Sequence, residues 1–379
     1  MAGYGGLRDR IAEGLLDPPE ARALLIERGE LRLALVALDL VIVRPELHDT
    51  VWAAVDDLAL DGLLLAATHT HSGPGGYVPG WLAERVTAGS FDPDRPAALG
   101  ETVVAALRRA RDDLGAATLG AAIGRLDLAR NRRNPDGPHE TALPVVRVDR
   151  PDGTPVAVIF AYGCHAVTLG PDNRHYSADF LGPARAQLDE TTAPALFLPG
   201  PLGDQNPDLT PEELWPGDAA AMRAQQHTAG RRLAAAVTAI HTRITPRADA
   251  PIAFAERRVE TPPLRLRRFG AIWWFAPLTR PALGGFLSSR TRFQAFGLGD
   301  AMLVAFPAEI SSALGDAARA LVDAPVPMAV AHANDWLGYA VDADAYARGG
   351  YEPTLSFFGS GFGAWLLDQA DATLDGLER

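Results

Sequence analysis

An apolar run that ends in two histidines constrains the fold of this chain more than any other feature. Residues 63–67 read Leu-Leu-Leu-Ala-Ala, and residues 68–76 continue with Thr-His-Thr-His-Ser-Gly-Pro-Gly-Gly. Because side chains alternate between the two faces of a strand, a buried strand here would point His69 and His71 in the same direction at its end. Imidazole is the commonest protein ligand of zinc, and a glycine-rich turn lets a ligand approach the backbone closely. The segment therefore predicts a metal site at the end of a buried strand.

Strand-like and helix-like segments alternate along the chain, which predicts an α/β fold with mixed β-sheets flanked by helices. Apolar segments predict strands at 31–44, 63–67, 119–129, 143–149, 156–162, 195–198, 251–262, 269–276, 290–306 and 327–333. Amphipathic or alanine-rich segments predict helices at 46–58, 96–114, 217–242, 309–323 and 364–377, with another from about residue 182. No linker or internal repeat interrupts the pattern. We therefore expect one domain over residues 1–379, in which the strand-rich part after residue 250 could form a subdomain or a second sheet.

The charge balance and the shortness of the apolar runs narrow the possible functions. Over 379 residues the formal net charge is −12, which disfavours a general nucleic-acid binder. No apolar run approaches the length of a membrane span, and the first residues lack the apolar core of a signal peptide. Cys164 is the only cysteine, so an internal disulfide is excluded, which fits a reducing compartment. We expect a cytoplasmic protein without a transmembrane segment.

Three further apolar segments each deliver a polar residue into a turn. His165 follows the strand predicted at 156–162, Glu309 follows the apolar end of 290–306, and His332 and Asp335 end the strand at 327–333, just before Tyr339. Because ligands bind near the carboxyl ends of strands in open α/β sheets, these residues are expected to converge on one metal. Taken singly, each also fits a structural role: a hydrogen-bonded histidine, a glutamate in the first turn of a helix, a half-buried tyrosine. The spacing does not choose zinc over iron or manganese.

Other catalytic classes fit the sequence poorly. The Gly-Pro-Gly-Gly run at 73–76 lacks the Gly-Lys-Ser/Thr of a nucleotide-binding P-loop. No Gly-x-Ser-x-Gly elbow is present, which disfavours a serine hydrolase. Cys164 is expected to be a small buried hydrophobic residue rather than a nucleophile. Asp204 and Asn206 lie in a Gly/Pro-rich loop, where turn formation is the alternative to a functional role.

Six stretches in order along the chain resemble the signatures of the neutral/alkaline (non-lysosomal) ceramidase family. They are the segment 68–76, Asn131 with Arg132, the segment from His165 through Asp179, Gly-Asp-Gln-Asn-Pro at 203–207, Pro-Ala-Glu at 307–309, and the pair Tyr339 and Tyr351. The resemblance extends from Tyr4 to the end of the chain and covers the catalytic domain of the family.

The resemblance implies a zinc-dependent amidohydrolase that cleaves a linear N-acyl amide, either ceramide or a ceramide-like compound, with water activated by zinc. The zinc ligands that it implies are His69, His165, Glu309 and Tyr339. The residues that it implies act on the substrate are His71, Tyr351 and Arg132. The turn containing Gly75 and Gly76 would form a close wall of the substrate site, together with the loop residues Asp204 and Asn206.

Several departures from the family pattern concern the substrate more than the chemistry. Arg133 stands where the family usually has serine, and Ala308 replaces the usual glycine before the glutamate. We also expect no C-terminal immunoglobulin-like domain. A second hypothesis is therefore the same zinc chemistry on another small amide, ester or lactone. A third is a non-catalytic binding protein with this fold, which the complete set of implied ligands disfavours.

Overall fold

Strands from distant parts of the chain assemble into sheets that helices cover on the outside. The structure, a computed structural model, describes residues 1–4, 10–80, 83–84, 89–267 and 286–377. Strands β1 to β17 are, in order, Gly14–Leu15, Ala21–Arg28, Leu31–Leu38, Gly62–Ala67, Thr118–Arg125, Ala129–Asn131, Ala142–Asp149, Pro155–Tyr162, His175–Tyr176, Ala195–Pro199, Gln205–Pro207, Ile252–Glu260, Arg290–Leu298, Ala301–Ala305, Glu309–Ile310, Val326–Val330 and Tyr339–Ala340. Helices α1 to α9 are Pro45–Ala54, Arg95–Asp112, Leu181–Thr191, Pro211–Leu214, Ala219–His241, Ser312–Leu321, Ala343–Arg348, Tyr351–Thr354 and Phe362–Leu374, and Asp56–Leu58 forms a 3₁₀ turn.

The three larger sheets mix parallel and antiparallel pairs. Their strand orders are β2-β3-β4, β12-β13-β14-β16 and β10-β8-β7-β5. The pairs β3–β4, β8–β10 and β14–β16 are parallel, and the other pairs within these sheets are antiparallel. The prediction of an α/β fold with mixed sheets flanked by helices is confirmed.

The protein has four layers, in the order helices, sheet, sheet and helices, and three hydrophobic cores lie between them. In β4, which is buried throughout, Leu63 and Leu65 join a core with α1, α2, α6 and α9. Leu64 faces the other way, into a second core between the sheets, where it meets residues of β8 and β16 such as Ile159 and Val330. A third core lies between the opposite face of β8 and helices α3 and α5. Because β4 is covered on both faces, it reads as a continuous apolar run rather than an alternating one.

One predicted strand ends earlier in the structure than the sequence indicated. The strand expected at 31–44 ends at Leu38, and residues 39–44 leave the sheet while staying buried. Their carbonyl groups accept hydrogen bonds from the histidine loop: His69 N–H donates to the oxygen of Leu40 over 3.0 Å. The strand predicted at 269–276 lies outside the described residues.

The sequence predicted that a helix begins at Glu309, but the structure does not have a helix there. Glu309 lies in the two-residue strand β15, paired in parallel with Tyr339, and α6 begins only at Ser312. The Glu309 N–H donates to the carbonyl of Gly338 over 3.0 Å, so pairing with β17 holds this segment extended. Local sequence favoured a helix, but a contact with a distant strand decides the conformation.

The carboxyl ends of several strands meet in one region. Ala67 N–H at the end of β4 donates to the carbonyl of His332 after β16, over 3.2 Å. His71 N–H donates to the carbonyl of Ala166, over 3.2 Å, in the segment that follows β8. These bonds join polar loops from three sheet ends, which is where the sequence predicted a convergence of functional residues.

A buried ion pair supports the histidine loop from behind. The Arg185 guanidinium donates to both carboxylate oxygens of Asp39, over 2.9 and 2.6 Å, and both side chains are almost fully buried. Asp39 also accepts a hydrogen bond from the Thr68 hydroxyl over 3.0 Å, directly before His69. The pair therefore ties α3 to the end of β4.

Within the described ranges, no helix is both long and apolar enough to cross a membrane.

We predict that Asp39→Ala lowers the free energy of unfolding by about 3–5 kcal/mol, because it leaves the buried Arg185 charge without its partner. Urea denaturation followed by circular dichroism measures the loss. The control is Asp300→Ala, which breaks the exposed ion pair with Arg247 and should cost about 1 kcal/mol or less. Equal losses in the two variants would contradict a supporting role for the Asp39–Arg185 pair.

Candidate metal centre

Four imidazoles gather around one buried carboxylate. Glu309 Oε1 lies 2.9 Å from His165 Nε2 and 3.5 Å from His69 Nε2. Its other oxygen, Oε2, lies 3.8 Å from His332 Nε2. His71 Nε2 is 3.2 Å from His69 Nε2, at the more accessible side of the cluster. The cluster unites the four strand-end segments that the sequence singled out.

Backbone carbonyls orient two of the imidazoles. His69 Nδ1 donates to the carbonyl of Val41 over 2.6 Å, and His165 Nδ1 donates to the carbonyl of Gln205 over 2.8 Å. With the proton held on Nδ1, the lone pair of each Nε2 faces the cluster. Carbonyl partners of this kind are what metal-binding histidines require for their orientation.

The two histidines of the 68–76 segment converge through a turn rather than through strand alternation. Strand β4 ends at Ala67, and His69 has a φ of 61°, in the left-handed region that residues other than glycine rarely adopt. His332 has a φ of 52°. Such backbone strain persists only where surrounding contacts hold it, and it is typical of functional sites.

Glu309 is held in place on one side and free on the other. Trp336 Nε1 donates to Glu309 Oε2 over 3.2 Å, and the carboxylate is almost fully buried. Oε1 receives no hydrogen bond from the described residues, although His165 and His69 stand beside it. A buried carboxylate oxygen without a donor is costly unless a cation occupies the space that it faces.

The electrostatics of the cluster set its protonation states. Burial raises the pKa of Glu309, but the adjacent His69 and His165 outweigh it, so the pKa of this carboxyl lies well below its usual value. Burial, and then the charge of Arg132, lower the pKa of His165 to about 4. Burial and neighbouring His69 lower the pKa of His71 and of His332 well below 6.5. At neutral pH the cluster therefore combines an ionised carboxylate with neutral imidazoles at His71, His165 and His332.

This donor set fits a transition metal. Two triads have donor atoms within 4.8 Å of one another: His69 with His71 and His165, and His69 with Glu309 and His332. Neutral imidazole nitrogen and carboxylate oxygen suit zinc, and they also suit iron or manganese. The unpaired Glu309 Oε1 supports the same conclusion from the hydrogen bonding.

Arg132 joins the cluster to its mouth. Its Nη2 donates to the Tyr339 hydroxyl over 3.2 Å, and its Nε donates to Glu352 Oε1 over 2.9 Å. Burial, and then Glu309, raise the pKa of Tyr339 well above 10 in the absence of a bound cation. The Tyr351 ring lies 5.6 Å from that of Tyr339, and this side chain is 50% exposed. A guanidinium and two phenols thus line the way from solvent to Glu309.

Gly75 and Gly76, the glycines predicted to line the substrate site, contact neighbouring parts of the protein. The carbonyl of Gly75 accepts a hydrogen bond from Arg95 over 2.9 Å. Gly76 has a φ of 77°, and a Cβ there would lie 2.8 Å from the carbonyl oxygen of Ser90, which excludes a larger residue. These contacts fix the shape of the turn that follows His71.

The two predicted loop residues, Asp204 and Asn206, have different contacts. The carboxylate of Asp204 accepts hydrogen bonds from Asn131 Nδ2 and from the backbone N–H of Ser312, both over 2.8 Å. Asn206 Oδ1 accepts a hydrogen bond from Arg132 over 3.4 Å. Asp204 therefore joins its own loop to β6 and to the start of α6, and Asn206 contacts the Arg132 guanidinium.

Sequence reasoning missed three residues that contact the cluster. Trp336 bonds Glu309, Glu352 pairs with Arg132, and the Tyr4 ring packs 4.9 Å from the His71 ring. Trp336 and Glu352 stand next to residues that the sequence singled out, and Tyr4 marked only the start of the resemblance. Nothing in their spacing signals a contact, because each is brought in by the folding of a distant segment.

A groove lies elsewhere and contains none of the cluster residues. It has a volume of about 940 Å³ and runs between the edge strands β2 and β10. Arg28, Arg150 and Asp189 are among its lining residues. A groove of this size could hold a ligand, but the group of imidazole and carboxylate atoms that could hold a metal lies in the cluster around Glu309.

Comparison with known proteins decides the family. The profile described as "Neutral/alkaline non-lysosomal ceramidase, N-terminal" matches residues 1–197, about half of the chain. The chain belongs to this family. The curated neutral ceramidase of Mycobacterium tuberculosis (strain ATCC 25618 / H37Rv) is 30% identical over 226 residues, which are 53% of this chain and 34% of that protein. The match thus spans about a third of the length of this relative.

Solved structures show the same fold. A neutral ceramidase from Pseudomonas aeruginosa superposes with a TM-score of 0.79 at 21% identity, over 100% of this chain and 73% of that one. A ceramidase complexed with C2 gives a TM-score of 0.79 at 20% identity, over 98% of this chain and 72% of that one. The mixed α/β architecture is therefore the ceramidase fold.

We predict that Trp336→Phe weakens divalent-metal binding about tenfold, because it removes the hydrogen bond that orients Glu309. Competition with a chromophoric chelator measures the metal dissociation constant. Trp365→Phe is the matched control, since Trp365 packs on Phe362 in α9, away from Glu309. A similar loss in both variants would indicate general destabilisation instead.

Proposed function

We propose that this protein is a zinc-dependent hydrolase that cleaves a linear N-acyl amide of ceramide or of a ceramide-like compound. The observation that carries the proposal is the buried Glu309 carboxylate beside the His69 and His165 imidazoles, with an oxygen that no donor among the described residues satisfies. Membership of the ceramidase family and the names of the relatives, neutral ceramidases, supply the substrate class. One domain and a cytoplasmic location remain predictions from the sequence.

His69, His165 and Glu309 would hold the zinc, with the Tyr339 phenol as the fourth ligand that the family resemblance implies. A zinc ion bound here would act as a Lewis acid, making a water nucleophile available near pH 7 and withdrawing charge from the amide carbonyl. His69, His165 and Glu309 are buried, which excludes bulk water and strengthens electrostatic interactions within the site.

His71 is placed to move the proton. Its Nδ1 is buried without a hydrogen-bond partner among the described residues, and its low pKa keeps the ring neutral at pH 7. A neutral imidazole accepts a proton from the water nucleophile and then gives it to the leaving amine. The Tyr4 ring packs against His71 and restricts its orientation.

Tyr351 and Arg132 act on the carbonyl side. Cleavage of an amide places negative charge on the carbonyl oxygen, and fixed donors aimed at that oxygen lower the barrier. Burial raises the pKa of Tyr351 above its usual value of 10, so the phenol keeps its proton and donates. Arg132 stays charged, and its Cζ lies 5.8 Å from the Tyr351 ring centroid. Gly75 and Gly76 would form a wall of the substrate site, and Asp204 and Asn206 would also contribute to substrate binding.

We predict that the purified protein holds one zinc and hydrolyses short-chain N-acyl sphingoid bases, and that EDTA abolishes both properties until zinc is returned. His69→Ala should lose the metal and lower kcat at least about 1000-fold, since one ligand is removed and Lewis-acid catalysis is lost. Mass spectrometry of the metal content and an amine-release assay measure the two effects. Full activity in metal-free protein would refute the zinc mechanism.

The same assay distinguishes the substrate hypotheses. Cleavage of ceramide in detergent together with its short-chain analogues supports the proposed class. Turnover of small polar amides, esters or lactones in place of ceramide would instead assign the zinc chemistry to another metabolite. Zinc binding without turnover of any of these would favour a binding protein.

We predict that Tyr351→Phe lowers kcat about 100-fold and leaves the zinc content unchanged, because the hydroxyl serves the oxyanion rather than the metal. Tyr346→Phe is the control, since Tyr346 lies in α7 against Arg267. Loss of zinc in parallel with activity would show that Tyr351 has a structural role.

A further inference from the structure

His332 brings two unpaired nitrogen atoms into the interior of the protein. Its side chain is fully buried, and neither Nδ1 nor Nε2 has a hydrogen-bond partner among the described residues. A neutral imidazole always carries one N–H donor and one lone pair, so burial without partners is unfavourable. His69 and His165 differ from His332, because the Nδ1–H of each donates a hydrogen bond to a backbone carbonyl.

The fold fixes the position of this ring. The His332 N–H donates to the carbonyl of Ala308 over 3.2 Å, and its own carbonyl accepts from Ala67 over 3.2 Å. These bonds hold the left-handed residue between the end of β4 and the segment that carries Glu309. The ring then stacks on that of His69, with centroids 4.1 Å apart and planes 26° from parallel.

The donor atoms of His332, His69 and Glu309 are spaced as ligands of one cation are. Two atoms that each lie about 2.1 Å from one zinc ion are separated by at most roughly 4.2 Å, whatever the coordination number. His332 Nε2 is 3.8 Å from Glu309 Oε2, and His69 Nε2 is 3.5 Å from Oε1. His332 thus approaches the carboxylate at the oxygen opposite to the one that His165 faces.

We propose that His332 is a direct ligand of the metal, so that the centre has a third imidazole ligand beside His69 and His165. The inference rests on the proposed function, because it concerns the same metal. Stacking on His69 alone would explain the ring plane, but it leaves the buried Nε2 that faces Glu309 without a partner. With His332 the protein offers a coordination number above four, which retains the metal more tightly and gives a different ligand field from that of a four-ligand centre.

The test is His332→Asn, because asparagine tolerates the left-handed backbone and its shorter side chain does not reach Glu309. We expect the zinc dissociation constant to rise 10- to 100-fold, and the visible spectrum of the Co²⁺-substituted protein to change in position and intensity. His241→Asn is the matched control: this histidine is also buried with an unpaired Nε2, but it lies at the end of α5. The control should keep the wild-type dissociation constant and spectrum.

The outcomes separate the two proposals. A folded His332→Asn variant with the wild-type dissociation constant and Co²⁺ spectrum overturns the role of His332 and leaves the zinc hydrolase intact. Wild-type protein that binds no zinc overturns both. If His332→Asn does not fold, metal-edge X-ray absorption of a His71→Asn variant decides: three imidazole ligands support the proposal, and two overturn it.

Discussion

The structure depends on keeping one negative charge, that of Glu309, in the interior. Removing a carboxylate from water is unfavourable by several kcal/mol unless charged or polar groups compensate for it. Here imidazoles on three other strand ends and the Trp336 indole surround the carboxylate, and the cation that we propose would complete the compensation. The sheets therefore have to bring distant parts of the chain to one point. The hydrogen bonds between strand ends, and the Asp39–Arg185 pair behind them, hold that point in place.

The sequence predicted the parts of this arrangement that depend on local pattern. The apolar run of β4 and the polar residues that follow four strands indicated both the α/β fold and the location of a metal site. The conformation of Glu309 was missed, because pairing with Tyr339 overrides a local preference for helix. The left-handed backbone at His69 was missed for a similar reason: hydrogen bonds with residues 39–44 impose it, and no periodicity records them.

At the mouth of the site the buried carboxylate, that of Glu352, is paired with two arginines, whereas Glu309 at the centre is surrounded by imidazoles. Glu352 is almost fully buried and accepts from Arg132 Nε over 2.9 Å and from Arg133 Nε over 2.8 Å. One carboxylate between two guanidinium groups leaves a net positive charge beside Tyr351. The family resemblance implies serine at the position of Arg133, and the Arg133 side chain is 48% exposed. The departure therefore changes the surface that a substrate meets first and leaves the donor atoms around Glu309 untouched.

The left-handed backbone at His69 and His332 limits how the centre can change during evolution. Outside glycine, that conformation is reached most readily by asparagine, aspartate and histidine, and it is very unfavourable for β-branched residues. Most single substitutions at these two positions thus lose an imidazole of the candidate metal centre and add backbone strain at the same time. The residues that avoid the strain are mostly those that can still offer a polar atom. Lineages of this fold are therefore expected to exchange ligands here among a small set of residue types rather than drift through apolar ones.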